Sequence, residues 1–378
     1  MISQIIIKTT GKCNLNCHYC YYMNGLSKSF QVHLSLNSVR HLYSKFAVYM
    51  QERGVRRATF VWHGGEPTLL KKEVFASLIR VQDDYFSKET HIKNVIQTNA
   101  TLIDDEWATI FKTYGIGVGT SIDGSPVSHN RNRVYHNSKG SYDDTIRGVK
   151  TLIRHGIKPG VITVIDPNVT GKEVFCHHYD LGVRAMDFNL PIITYQNFAG
   201  DAKISNYSDF MCGVFDAWLE KNDPTVKIRG LETIIKLIMG GTSTYCHTAN
   251  DCSRFITMEP NGDIGVCENL RVISIHDSFD AYLTGMNINQ NNFFDIEEAV
   301  SEKFNSYAYN KNGEVCGCCP VKHICNSGCP VHRYRQNTNF SNPSLFCEYY
   351  KSLINHILSR LKLEVPFIHP HTHSLSLT

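Results

Sequence analysis

Lys12-Cys13-Asn14-Leu15-Asn16-Cys17-His18-Tyr19-Cys20 sets three cysteines in a C-x3-C-x2-C spacing, four residues after the apolar run Ile5-Ile6-Ile7. Three thiolates can hold three irons of a 4Fe-4S cube and leave the fourth without a protein ligand. A cluster that only carries electrons is normally closed by four cysteines. An open iron binds a small molecule, so the spacing points to chemistry at the cluster. The run before it reads as a strand. In parallel α/β sheets the chemistry gathers where strands end, and these cysteines follow the first strand candidate.

Working outward, residues 4–190 alternate strand and helix patterns. The strand candidates are Gln4–Thr9, Arg57–Trp62, Ile92–Gln97, Gly117–Ser121, Lys158–Val164 and Ala185–Leu190, each short and bounded by turn residues. Val39, Leu42, Tyr43, Phe46 and Met50 share one helical face, and further helical patterns cover about 72–86, 104–114 and 143–155. Repeated β-α units imply a parallel sheet with right-handed crossovers. Six units are too few to close an eight-stranded barrel, so the fold class is α/β, a partial (β/α)6 TIM-like barrel over 1–190. Residues 191–245 carry helical stretches at Phe210, Val214, Phe215, Trp218 and Leu219 and at Leu231–Met239, and read as a bridge. Residues 246–350 crowd their cysteines with few long periodic segments, the pattern of a loop-rich region held by metals. A C-terminal helix and tail follow over 351–378, where His369, His371 and His373 read as a disordered end.

Composition narrows the function classes. The chain has 378 residues and a formal charge of +3, which gives no case for a nucleic-acid surface. No apolar run reaches the ~18 residues of a membrane helix, and Met1–Ile7 lacks the basic start of a signal peptide. Fourteen cysteines without an export signal favour metal ligation over disulfides and a cytosolic setting.

His63-Gly64-Gly65-Glu66-Pro67 closes the second strand candidate. The glycines let backbone approach a ligand, Glu66 can accept from an ammonium group, and Pro67 stiffens the turn. The cysteine spacing followed by Gly-Gly-Glu-Pro resembles the radical S-adenosylmethionine enzymes. The resemblance implies a 4Fe-4S cluster on Cys13, Cys17 and Cys20, with Gly64, Gly65, Glu66 and Pro67 around the cofactor's methionine amino group. It implies Asn99, Ser121 and Asp123 near the ribose, Arg133 on the cofactor carboxylate, and Tyr19 and Leu190 near adenine. Turn chemistry alone also explains Asn99, Ser121 and Asp123, a solvated surface explains Arg133, and core packing explains Leu190.

A second set is as specific. Cys252, nine residues, Gly262, four residues and Cys267 precede Cys316-x2-Cys319-x5-Cys325-x3-Cys329, and Cys347 follows after seventeen more. This resembles the SPASM domain of radical enzymes that modify peptides, and Cys246 adds an eighth thiol. By similarity to the anaerobic sulfatase-maturing enzymes, Cys246, Cys252, Cys267 and Cys329 would hold one auxiliary cluster. Cys316, Cys319, Cys325 and Cys347 would hold another, giving three 4Fe-4S clusters with S-adenosylmethionine. Zinc is the plain alternative for a C-x2-C pair with two further cysteines. Cys176, Cys212 and Cys318 are left over; the first two read as buried thiols, and Cys318 stands beside Cys319 as a possible exchange ligand.

The resemblance implies reductive cleavage of S-adenosylmethionine, hydrogen abstraction by a 5′-deoxyadenosyl radical, and passage of the surplus electron to an auxiliary cluster. A low-potential donor such as flavodoxin or ferredoxin would supply the first electron. Glu268, next to Cys267 where the sulfatase-maturing enzymes carry aspartate, is the candidate base, ahead of Asp123 and His63. Three readings follow. The segment Ile5–Cys13 resembles the cyclophane-forming Xye-type maturases, which join an aromatic ring carbon to a β-carbon in a ribosomally made precursor peptide. The second reading is formylglycine formation in a sulfatase, and the third a non-catalytic iron–sulfur scaffold. No winged-helix module precedes the barrel segment, so the leader peptide is expected on another protein, on the bridge or SPASM region, or on a strand edge.

Overall fold

Isoleucine-rich β1 (Gln4–Lys8) lies inside a ten-stranded sheet in the computed structural model, which describes residues 1–22, 32–198, 203–243, 245–249, 252–277, 280–307 and 314–362. The histidines at 369, 371 and 373 fall outside these residues. After β1 come β2 (Arg57–His63), β3 (His91–Thr98), β4 (Gly117–Ser121), β5 (Gly160–Val164), β6 (Ala185–Asn189) and β7 (Lys227–Ile228), all parallel neighbours in chain order. The six expected strands are therefore present, and the two-residue β7 extends their arc. The sheet runs in one open line, not a closed barrel.

On its other side β1 pairs in parallel with β8 (Phe255–Met258), which continues antiparallel through β9 (Asp263–Gly265) to β10 (Leu283–Asn287). The cysteine-rich region thus begins as an extension of the barrel sheet. Ile5 and Ile7 are fully buried, flanked in register by Phe60 and Trp62 on β2 and by Ile256 and Met258 on β8. Gln4 and Ile6, on the other face, are half-buried, and β1 is paired along both edges, since an unpaired buried N–H is costly. The same region is also less loop-rich than expected. Helix Phe293–Tyr307 buries Phe293, Ile296, Val300 and Phe304, a 3.6-residue period inside the cysteine-rich segment.

Helices cover the outside. Leu36–Glu52 is capped by the Ser35 hydroxyl, which accepts from the Ser38 N–H at 3.0 Å, and it buries Val39, Leu42, Tyr43, Phe46 and Met50. Helix Gly171–Asp180 meets helix Ile204–Lys221 backbone to backbone: a Cβ on Gly171 would stand 1.8 Å from the Phe210 carbonyl oxygen. Helix Cys347–Leu361 returns onto Ile204–Lys221, with Asp216 accepting from Arg360 Nε at 2.8 Å. No described helix is long and apolar enough to cross a membrane.

His178 gives this layer a pH dependence. It is fully buried, with Nε2 2.8 Å from the Thr163 hydroxyl, and burial, with His177 beside it, holds its pKa down to about 3. The unfolded value is about 6.5, so the unfolded chain binds this proton first. Stability is complete above that value and is lost as pH falls toward 3. The melting temperature is expected to drop through this window, and His178→Gln to flatten the drop.

Candidate active site

Because β1 to β6 are parallel, their C-terminal ends share one side, and a cavity of about 320 Å³ opens there. β1 leads into the cysteine loop, and Cys13, Cys17 and Cys20 all line the cavity. Backbone bonds from Asn16 to the Val134 carbonyl (2.7 Å) and from His18 to the Asn132 carbonyl (3.0 Å) hold the loop. All three cysteines are free thiols. Burial pushes Cys17 up to about 11 against the lowering charge of Arg133, and raises Cys13 further, with Glu66 adding to it. Cys13 and Cys17, half-buried in this loop, are costly as isolated anions and suit a positive metal core, which deprotonates its ligands on binding.

The two glycines serve this loop. Gly64 has φ +143°, and a Cβ there would lie 2.6 Å from the Thr10 carbonyl oxygen; on Gly65 it would lie 2.0 Å from that of Lys12. Gly65 N–H donates to Thr10 at 2.8 Å and Glu66 N–H to Lys12 at 2.9 Å. So the close approach they permit is first that of the chain carrying Cys13. Gly65→Ala is expected to cost about 1–3 kcal/mol through overpacking and to lower the iron retained, read by thermal melting and iron per chain.

Glu66 is buried beside the end of β3. Its Oε1 accepts from the Thr68 N–H (3.0 Å), the Thr68 hydroxyl (2.5 Å) and the Thr98 hydroxyl (2.7 Å), and Oε2 from the Asn99 N–H (2.8 Å). Burial raises its pKa, and these donors oppose the rise. Asn99 and Ser121 line the cavity, and Ser121 accepts from Gln97 Nε2 at 3.1 Å. Leu190 joins Ile162, Val164 and Ile192 in an apolar wall.

Two expected cofactor contacts do not line the cavity. Pro67 starts a buried 3-10 turn behind Glu66. Asp123 lies behind Arg133, accepting from Arg133 Nε at 2.9 Å, from the Tyr19 hydroxyl at 2.6 Å and from the Val164 N–H at 3.0 Å. A buried carboxylate needs a cation, and Arg133 is the one at hand; Asp123 therefore braces Arg133 and Tyr19, which do face the cavity.

Glu268 also faces it, but is not free. Lys8, fully buried at the end of β1, bonds both the Glu268 carboxylate and His63 Nδ1, the latter at 2.9 Å. Tyr21 bonds Glu268 as well. Burial alone would raise Glu268; Lys8, His63 and Arg271 together hold it at about 2. Burial and the Lys8 charge lower His63 to about 4. Sequence reasoning missed Lys8, although a lysine closing an isoleucine run was the signal. Gln97, Tyr21, His247 and Asn269 are further lining residues it did not single out.

Eight of the remaining eleven thiols fall into two sets. Cys267 is half-buried, within electrostatic reach of Cys252, Cys329 and Cys246. Cys316, Cys319, Cys325 and Cys347 line one small cavity, from which Cys318, exposed, is absent. Cys176 and Cys212 are half-buried on packed helices, less enclosed than expected.

Residues 7–174 match the radical SAM superfamily model. The cysteine-type anaerobic sulfatase-maturating enzyme of Clostridium novyi (strain NT) is 26% identical over 380 residues, covering 95% of this chain and 96% of that protein. The serine-type enzyme of Bacteroides thetaiotaomicron is 26% identical, covering 93% and 89%. Among solved structures, native anSMEcpe with bound AdoMet and Kp18Cys peptide superposes with a TM-score of 0.82 at 23% identity, over 95% of this chain and 98% of that one. Streptococcus suis SuiB bound to precursor peptide SuiA gives 0.63 at 15% identity, over 92% and 76%. At such identities these two structures speak for the fold.

Proposed function

Residues 7–174 form a radical SAM domain, and from that premise we propose that this enzyme is a peptide maturase that removes two hydrogens from a precursor peptide and closes a carbon–carbon cross-link between an aromatic ring and a β-carbon. The observation that carries the reading is the convergence on one cavity of the three-cysteine loop, the Glu66 turn and Glu268, whose neighbour Cys267 belongs to a four-thiol set. Bound to Cys13, Cys17 and Cys20 and to the two four-cysteine sets, three 4Fe-4S clusters with S-adenosylmethionine supply a hydrogen-abstracting radical and an acceptor for the surplus electron.

The chain's own residues do the rest. Glu66 Oε2 accepts one hydrogen bond among the described residues, which leaves acceptor capacity for an ammonium group. Arg133 gives Nε and Nη2 to Asp123, leaving Nη1 for a carboxylate. The apolar wall of Ile162, Val164, Leu190 and Ile192 excludes water and suits an aromatic side chain. Glu268 receives the departing proton. A carboxylate already paired with a buried ammonium is a poor acceptor for a thiol proton, but takes one from a ring carbon left cationic after bond formation.

The length of chain shared with the sulfatase-maturating enzymes favours a second reading, formylglycine formation. Anaerobic co-expression with the short peptide encoded beside the gene, read by mass spectrometry, separates the two. Loss of two hydrogens with no backbone fragmentation inside the modified motif supports the cross-link. An unchanged peptide, with sulfur lost from a cysteine-type sulfatase peptide, overturns it in favour of formylglycine.

A further inference from the structure

Between Cys325 and Cys329 the chain turns through Asn326, Ser327 and Gly328, three successive residues with φ of +47°, +69° and +67°. Glycine takes this conformation freely, whereas it costs a side-chain-bearing residue about 1–2 kcal/mol. The Asn326 side chain pins the turn by donating to the Thr248 carbonyl. Ser327 is 5% exposed and lines the cavity of Cys316, Cys319, Cys325 and Cys347. Its backbone N–H already bonds the Cys325 thiol. Its hydroxyl oxygen is buried with no hydrogen-bond partner among the described residues. Buried hydroxyls are nearly always paired, and strain persists where it has a use.

We propose that the Ser327 hydroxyl donates a hydrogen bond to sulfur of the centre held by Cys316, Cys319, Cys325 and Cys347, and so raises that centre's reduction potential. The proposal rests on the reading that these four thiols hold a 4Fe-4S cluster. Reduction adds one negative charge, so a donor to sulfur stabilises the reduced form more than the oxidised one. A higher potential at this set draws an electron outward from the substrate cavity. The role is one of tuning: Ser327 does not line the substrate cavity.

The test is an anaerobic potentiometric titration of the cluster-loaded enzyme, followed by electron paramagnetic resonance, on Ser327→Ala and Ser327→Gly. Both remove the hydroxyl, and the glycine variant also relieves the turn, so it is expected to melt at or above wild type. One reduction step should move to more negative potential by a similar amount in both variants, while the other steps stay. No movement in either variant overturns the proposal. A shift in Ser327→Ala alone assigns the effect to the backbone and overturns it too. Wild-type protein retaining iron and sulfide for fewer than three clusters overturns the underlying reading instead, and the proposal with it.

Discussion

Lys8→Met is expected to destabilise the protein by about 3–5 kcal/mol, the range for stranding one charge of a buried pair. Lys8 is fully buried and Glu268 nearly so. Removing the ammonium leaves the carboxylate without its cation in a site where burial already opposes charge. The cost falls on a junction. Lys8 ends β1, and Glu268 follows the β8–β9 hairpin that extends the sheet on the other edge of β1. Chemical denaturation should show the loss, and the double variant Lys8→Met/Glu268→Gln should recover much of it, because no net charge is then stranded. Additive losses would mean that the two residues act independently.

Asp123→Asn carries the second large effect. The carboxylate braces Arg133 through two bonds and Tyr19 through one, and Tyr19 stands between Cys17 and Cys20. The asparagine keeps the shape but removes the charge, so the buried guanidinium loses its counter-ion and the cysteine loop an anchor. Loss of such a supporting contact typically weakens a bound group 10–100-fold. Titration calorimetry of S-adenosylmethionine into the anaerobically loaded enzyme should show about that weakening, with the fold retained by circular dichroism. Unchanged affinity would remove Arg133 from the cofactor site.

How much was legible follows from the range of each signal. The six barrel strands announce themselves locally, as short β-branched runs closed by turn residues, and the helix Leu36–Glu52 by its 3.6-residue face. The cysteine spacing carries a long-range message because each thiol type is rare and its partners are other cysteines. β8 and β9 carried little signal: they have four and three residues, and the place of β8 beside β1 is set by contacts about 250 positions away. Charged residues were the hardest. Sequence shows that Asp123, Arg133, Lys8 and Glu268 are charged, but not that burial pairs each with another protein group before any ligand arrives. Asp123 was therefore expected at a ribose and stands instead behind Arg133. Ser327 was illegible for a related reason: an ordinary residue becomes notable only through a left-handed backbone and an unpaired hydroxyl.

The proposed function requires the radical formed in the cavity at the strand ends to take a hydrogen atom from a peptide side chain. The most direct measurement supplies the precursor peptide deuterated at the β-carbons of its modified motif and analyses the released 5′-deoxyadenosine by mass spectrometry. One deuterium is expected in the 5′-deoxyadenosine for each modified peptide. 5′-Deoxyadenosine formed without label, alongside a modified peptide that keeps its β-deuterium, would contradict it.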